Sequence, residues 1–464
     1  MKCVPLILLS GLLVVQGTGA ALAQSEIGPS PRSAEAAPTT TLASQQYLDY
    51  YPAGTPISQP ADTQPQAVAP SLPLDSSNPG PIVAGEECKP WTIPQPCFLQ
   101  NLGIRMGGWL EQGFTANGWG SSNSFNGPLA CNDLNDQYQL NQFWMFFDRP
   151  TDTQGCGWDI GGHIDLCYGT DWRYGRNYGL ENRIDAANQY YGLVLPQFYL
   201  EAAYNDLKVK MGHFAYCLGY EVVPAPLNFF YSHSYALCYG DPILVTGLEA
   251  DYKLNDNLTL VGGFNRGWMM FEDDNGCLDF AGGARWVSDD KETRLSFLTI
   301  DGPEDPAGQH NTFTYCLMYE EDVSKNMLYV IQQNLGVTQN GNPRDATQNA
   351  YWGGFVNYLL YKINPCWTAG LRFELFRDEE GSRVAGIGNW IGSNAGWSAL
   401  PGFAGDFWEL SAGLNWKANP NLTFRPELRY DWYDGTTNLQ GVLPFNNGNN
   451  STQLTLAADV ILTF

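Results

Sequence analysis

Hydrophobic and polar residues alternate along most of this chain. From about residue 103 to residue 464, successive segments carry large apolar side chains at every second position, with polar or small side chains between them. A period of two is the pattern of a β-strand with one apolar and one polar face. The alternation predicts about sixteen strands, which span residues 103–116, 138–148, 156–169, 194–205, 206–213, 242–254, 257–269, 278–288, 291–301, 312–321, 325–334, 349–361, 364–376, 405–417, 420–432 and 452–464.

The connections between these strands are alternately short and long. Tight joints such as "YNDLK", "KLNDNL" and "KANPNL" consist largely of residues that turns favour, and "DRPTDTQGCG" is intermediate in length. Between them lie longer stretches such as "TDWRYGRNYGLENRIDAANQYYG". A soluble sandwich gives no reason for this alternation, whereas an outer-membrane barrel has short periplasmic turns and long external loops. The sequence therefore predicts an all-β protein whose residues 103–464 form a transmembrane antiparallel β-barrel.

The clearest strands separate charged from apolar side chains. Arg425, Glu427 and Arg429 alternate with large apolar residues in "PNLTFRPELRYDW", as Arg372 and Glu374 do in "WTAGLRFELF". This arrangement suits a wall between lipid and a water-filled lumen. We expect the pore-lining or constriction residues to include Asp159, Asp165, Glu201, Lys208, Lys210, Glu221, Arg372, Glu374, Arg425, Glu427 and Arg429.

The first hundred residues differ from the rest. Residues 1–23 combine Lys2, a short apolar run and a small-residue ending, which is the pattern of a cleaved signal peptide. Residues 24–81 are rich in Pro, Ala, Ser and Thr and predict a flexible periplasmic arm, because such a stretch cannot bury enough apolar surface to fold. Residues 82–102, with two cysteines and Trp91, predict a compact lead-in to the barrel.

The composition excludes other classes of protein. A net charge of -24 and a pI of about 4.4 argue against nucleic-acid binding, which needs clustered Lys and Arg. After the signal peptide there is no apolar run of the roughly 18 residues that a spanning helix needs. The mean hydropathy of -0.26 fits a barrel, because polar lumen-facing residues dilute the hydrophobicity of each strand.

Candidate catalytic and metal-binding residues are few. Ten of the eleven cysteines follow the signal peptide, an even number that is compatible with disulfides, and none has zinc-type spacing. The sequence contains neither a phosphate-binding loop nor a nucleophile elbow. His163 is predicted to face inward beside Asp159 and Asp165, so an acid-base or metal-binding role is open, and the alternative is a solvated wall residue. We expect no enzymatic activity, no metal and no cofactor.

Four features together resemble the OmpL-like β-barrel porins. They are the signal peptide, the opening strand "IRMGGWLEQGF", the segment "GYEVVPAPLNFFYSHSY", and an alternating last strand that ends in Phe464. The likeness covers roughly residues 95–464. It implies an outer-membrane location, contact with outer-membrane lipid, and a C-terminal signal for the barrel-assembly machinery in which Phe464 acts with Leu462 and Val460.

The connection between the fifth and sixth predicted strands is unusually aromatic. "AYCLGYEVVPAPLNFFYSHSYALCYGD" must bury its aromatic side chains. The resemblance implies that this third outer loop folds inward and narrows the channel, while packing over the barrel mouth or against a neighbouring subunit is the alternative. Cys217 and Cys238 flank the loop, either as a disulfide or as free buried thiols.

The predicted function is passive diffusion of small hydrophilic solutes through a water-filled channel, because barrels of 16 to 18 strands leave such a channel open. Carboxylates outnumber lysines around the expected constriction, which predicts a modest cation preference. Two alternatives are a structural or adhesion-scaffold barrel with a plugged lumen and, less favoured, an outer-membrane hydrolase. A homotrimer, the solutes and the role of the arm stay open.

Overall fold

A computed structural model describes residues 90–122, 124–184, 190–384 and 402–464. In this part of the chain, sixteen antiparallel strands follow one another around a closed barrel. They are β1 (Arg105–Asn117), β2 (Gln137–Arg149), β3 (Trp158–Gly169), β4 in two pieces (Gly192–Val194 and Phe198–Tyr204), β5 (Leu207–Ala215), β6 (Leu244–Lys253), β7 (Leu258–Asn265), β8 (Asp279–Val287), β9 (Thr293–Pro303), β10 (Asn311–Ser324), β11 (Met327–Thr338), β12 (Ala350–Asn364), β13 (Trp367–Asp378), β14 (Gly405–Asn419), β15 (Leu422–Gly435) and β16 (Thr452–Thr463).

Each strand pairs with the next, and β16 returns to pair with β1. The closing register runs from Trp109 opposite Thr463 to Asn117 opposite Thr455. Both pieces of β4 pair with β3, so they form one strand that is interrupted around Pro196. The predicted barrel of about sixteen strands is confirmed, and the predicted strands coincide with the observed ones to within a few residues.

The ends of the strands differ from the predictions by up to four residues. β7 ends at Asn265 rather than near residue 269, because Gly267 takes a positive φ of 107° and the chain turns away. Met270 then forms an isolated bridge with Tyr178 of the long loop between β3 and β4. The predicted signal peptide, the arm and the first residues of the lead-in (82–89) lie outside the described residues and stay predictions.

The face assignment follows from the strand period of two. On β15, Leu428 is 48% exposed on the outer surface, whereas Arg429 beside it is 1% exposed. Tryptophan pairs stack on the outer surface across neighbouring strands, including Trp367 with Trp416 and Trp408 with Trp432. Such rings suit the interfacial belts of a membrane barrel.

Helical structure is confined to short segments. The described residues contain α1 (Cys97–Asn101), α2 (Glu181–Ile184), and single turns at Thr170–Tyr174, Ala225–Leu227 and Ala236–Gly240. None of the helices in this part of the chain is long and apolar enough to cross a membrane.

Candidate functional site: the inner loop and the lumen

The connection between β5 and β6, residues 216–243, folds into the barrel, and we call it the inner loop. Its tyrosines at 216, 220, 231, 235 and 239 are all less than 10% exposed. Its hydrogen-bond partners are inward residues of distant strands, such as Arg372 on β13 and Arg425 on β15. The aromatic composition of this segment therefore reflects burial inside the lumen rather than over the mouth of the barrel.

Three arginines of the wall hold carbonyl groups of the inner loop. Arg372 donates to the Ser232 carbonyl at 2.8 Å, and Arg429 donates to the His233 carbonyl at 2.7 Å. Arg425 reaches two carbonyls, those of residues 225 and 228, at 3.0 and 2.7 Å. Charged donors form the stronger hydrogen bonds in proteins, so these contacts fix the path of the loop backbone.

Two glutamates of the wall hold amide groups of the same segment. Glu427 accepts from the backbone N–H groups of Tyr231 and Ser232, each at 3.0 Å. Glu374 accepts from the N–H groups of Tyr235 and Ala236 at 2.8 and 2.7 Å. Adjacent N–H groups that point the same way form a site for an anion, and here a carboxylate fills it. The wall therefore binds the loop largely through the polar groups of its main chain.

Each of the three arginines also pairs with at least one carboxylate. Arg372 pairs with Glu221 of the inner loop at 2.6 Å and with Glu409 of β14 at 2.9 Å. Arg425 pairs with Asp459 at 2.6 Å and with Glu111 at 3.0 Å. Arg429 pairs with Asp431 on its own strand at 2.8 Å. Buried charges need such partners because each one loses its hydration. We call the inward surface of β13–β16 with Glu111 the charged wall.

The other side of the inner loop meets apolar side chains. The loop residues Tyr216, Leu218 and Tyr220 belong to one contiguous buried cluster with the wall. Two polar contacts accompany this packing, from the Tyr216 hydroxyl to the Thr299 carbonyl at 3.2 Å and from the Tyr220 N–H to Gln332 at 2.8 Å. We call this part of the lumen the apolar wall, and it consists of Val261, Ala281, Leu298, Ile300, Cys316, Met318 and Val330 on β7–β11.

A cavity of about 500 Å³ opens below the inner loop at the turn end of β2–β8. Glu201 and Lys208 line it, together with Asp251 and Arg285, which pair at 3.0 Å. Its rim is formed by turn residues of the short connections, which are the periplasmic ones in this class of barrel. We call it the periplasmic cavity.

Residues 103–464 match the family model described as "Putative beta-barrel porin-2, OmpL-like". The chain belongs to this porin family. A barrel of this family lies in the outer membrane, and the family is one of channel-forming porins. A search of curated proteins finds no match.

Solved structures of outer-membrane channels share the fold. The anion-selective porin from Comamonas acidovorans has a TM-score of 0.50 and 8% identity, over 78% of this chain and 99% of that one. The DcaP channel of Acinetobacter baumannii has a TM-score of 0.49 and 11% identity, over 78% and 97%. OprB of Pseudomonas putida has a TM-score of 0.47 and 13% identity, over 79% and 96%. At such low identities the likeness concerns the fold alone.

The porin carries all eleven predicted pore residues on its inward surface or on the inner loop. Three of them, Asp159, Glu201 and Lys208, retain contact with solvent. The other eight are less than 10% exposed and have protein partners. Pore-lining residues were expected to face water, and for these eight that expectation is wrong. They are Asp165, Lys210, Glu221, Arg372, Glu374, Arg425, Glu427 and Arg429.

Sequence reasoning missed several members of the charged wall. The alternation placed Glu409, Asp431 and Asp459 on the polar face of their strands, but these residues were not among the expected pore residues, and neither was Glu111. Asp431 lies two residues from Arg429 on the same strand, whereas the pairing of Glu111 with Arg425, 314 residues away, had no sequence signal. The apolar wall was also not predicted, since a porin lumen was expected to be polar throughout.

His163 is not the solvated wall residue that the sequence favoured. It is 2% exposed, and its ring nitrogens face Asp148 at 3.1 Å and Asp165 at 2.9 Å. The described ranges hold no group of three or more His, Cys, Asp or Glu residues arranged to bind a metal ion. His163 therefore belongs to a buried polar network of the wall.

Two acidic residues of the inner loop have shifted pKa values. Burial alone would raise the pKa of Glu221, but Arg372 and His233 hold it well below its usual range. Burial raises the pKa of Asp241 to about 7, although the N–H groups of residues 218 and 219 oppose the shift. Cys217 and Cys238 are buried free thiols in this structure, so the alternative of a disulfide between them is not observed.

Proposed function

We propose that this porin passes small hydrophilic solutes by passive diffusion, and that the inner loop sets the narrowest point of their path. The proposal is carried by the position of the loop, which enters the lumen of a closed barrel that also holds a polar cavity at its turn end.

Single-channel recording in planar bilayers tests the proposal. Purified full-length protein should give discrete conductance steps, and liposomes that contain it should swell in small sugars with a size cutoff. A shortened inner loop, without residues 224–234, should raise both conductance and cutoff. If neither the intact protein nor the shortened one conducts, the protein is not a diffusion pore.

A plugged lumen is the second candidate, and the buried clamp around the inner loop favours it. Arg372, Arg425 and Arg429 are each at most 2% exposed, so the loop fills the barrel beside β13–β16. If this state persists, the intact protein gives no steps, while the shortened loop conducts. Bilayer recordings of the two forms therefore separate the two functions.

The charge of the periplasmic cavity supports a modest cation preference. Its lining includes six carboxylates and four basic side chains: Asp148, Asp152, Glu201, Asp206, Asp251 and Asp256 against Arg149, Lys208, Lys253 and Arg285. The field of such a passage acts on permeating ions and weakens with salt. We propose that these residues, rather than buried Glu221 or Asp165, set the selectivity.

Reversal potentials in a salt gradient test this assignment. A triple variant should have a reduced cation preference, because it loses three carboxylates that are exposed at the cavity. Its substitutions are Asp152→Asn, Asp206→Asn and Asp256→Asn. Glu221→Gln, whose charge is already paired, is the matched control and should change it much less. The opposite ranking would show that the inner loop controls selectivity.

We also propose that this porin catalyses no reaction. The support is the environment of His163, whose two ring nitrogens are both engaged by carboxylates and so do not face a substrate. Loss of a lipid or peptide hydrolysis activity in His163→Ala would contradict this. A homotrimer stays a prediction, which native mass spectrometry in detergent tests.

A further inference from the structure

The segment before β1 bridges the place where the barrel closes. We call the pairing of β16 with β1, which joins the two ends of the sheet, the seam. Its last backbone pair is Gly108 and Phe464, and the N–H group of each donates to the carbonyl of the other at 2.9 Å. Residues 91–95 lie over the turn end of this seam. We call them the strap.

One end of the strap is held on the β16 side of the seam. Asn421, in the turn between β14 and β15, accepts from the Trp91 N–H and donates to the Trp91 carbonyl, each at 2.7 Å. The same amide donates to the Thr463 carbonyl at 2.8 Å. The Trp91 ring lies 6.5 Å from the ring of Phe464. The side chain of Asn421 therefore joins the strap to the last turn and the last strand together.

The other end of the strap is held on the β1 side. The Gln95 side chain accepts from the Met106 N–H at 2.8 Å and donates to the Met106 carbonyl at 2.7 Å. Met106 precedes the residues of β1 that pair with β16, so β16 does not pair with its N–H and carbonyl groups. Gln95 supplies the two hydrogen bonds that a neighbouring strand would supply.

The two anchors are close only when the barrel is closed. Trp91 and Gln95 are four residues apart, and four extended residues span at most about 14 Å. Neighbouring strands lie about 4.8 Å apart, so this reach covers β16 and little more. Asn421 and Met106 come within that reach only after β16 has paired with β1.

We propose that the strap is a lock for the seam, which forms after closure and slows the separation of β1 from β16. This inference is independent of the proposed path for solutes. The lock acts through two amide side chains, Gln95 and Asn421, that bind main-chain groups on opposite sides of the seam. Between them, the Trp91 ring lies beside the ring of Phe464.

Hydrogen exchange on the full-length folded protein tests the lock. Gln95→Ala and Asn421→Ala should each speed exchange of the amides in residues 106–111 and 459–464 by roughly three- to tenfold, the effect of losing one or two hydrogen bonds. Exchange in β9 and β10, on the far side of the barrel, should not change. Conductance should also be unaltered.

Asn364→Ala is the matched control. Asn364 ends β12 at the corresponding short turn, and among the described residues its side chain accepts from the N–H groups of residues 366 and 367, both in or beside that turn. It should leave exchange at the seam unchanged. Unaltered seam exchange in Gln95→Ala, or an equal increase in every strand, would overturn the proposal. Asn421→Ala also loosens its own turn, so Gln95→Ala decides if the two variants disagree.

Discussion

The charged wall and the apolar wall hold the same inner loop by different physical means. The charged wall binds main-chain carbonyls and amides of the loop, with arginines and glutamates, and its arginines also form ion pairs with wall carboxylates. The apolar wall contributes buried side chains that pack on Tyr216, Leu218 and Tyr220. Directional contacts define where the loop lies, whereas apolar contacts depend mainly on the area removed from water.

This difference affects what each wall tolerates. Truncation of one buried charge leaves its partners unpaired, so its cost includes their lost hydration. Truncation of one apolar side chain leaves a cavity, and its cost grows with the volume that stays empty. The charged wall should therefore be the more sensitive to a single substitution, and the following experiments compare the two.

Arg425→Ala should have the largest effect on stability. It leaves Asp459 and Glu111 without their cation and frees the carbonyls of residues 225 and 228. The expected loss is about 3–5 kcal/mol, measured as a lower temperature of conversion to the unfolded species on semi-native gels. Arg377→Ala is the control, because Arg377 is 60% exposed and pairs with Asp406 on the outer surface. An equal loss in both variants would contradict a special role for the charged wall.

Ile300→Ala should come second. Ile300 is fully buried in the apolar wall, and its truncation should destabilise the barrel by about 2–4 kcal/mol without disturbing a charge. Urea unfolding of the two variants in the same detergent gives the comparison. A loss larger than that of Arg425→Ala would reverse the order of the two walls.

Asp241→Asn should have a smaller effect that depends on pH. The folded pKa of Asp241 is about 7, above that of an exposed aspartate, so the folded state holds an extra proton between about pH 4 and 7. Stability from this group is fully present below about pH 4 and is lost progressively as the pH rises to about 7. The stability of the variant relative to the natural protein should therefore increase by about 2–3 kcal/mol between pH 5 and pH 8. Equal differences at both pH values would exclude titration of Asp241 as the cause.

Tyr216→Phe should have the smallest effect. It removes the hydroxyl that donates to the Thr299 carbonyl and keeps the ring in the apolar wall. The expected change in unfolding free energy is about 0.5–1.5 kcal/mol. Tyr216→Ala, which also empties the space of the ring, provides the contrast. Similar losses in the two variants would mean that the hydrogen bond, rather than packing, holds this side of the loop.

The strand pattern was predictable because the membrane imposes it. A barrel strand between lipid and lumen must alternate, and its short turns need a few residue types, so sixteen strands and their faces followed from local sequence. The inward positions of Arg372, Arg425 and Arg429 followed in the same way. The aromatic composition of residues 216–243 also indicated burial, since rings of this size are rarely left in water.

The sequence by itself thus determined the alternation of the strands, the closed barrel and the need of the inner loop for a buried site. Only the tertiary structure decided that eight of the predicted pore residues are buried against protein partners instead of facing water, that five of them hold the inner loop, and that the lumen has an apolar wall. Closure places Arg425 beside Glu111, 314 residues away, and places the strap across the seam. Local sequence determines which face a residue occupies, but the pairing of distant residues depends on the register and curvature of the whole barrel.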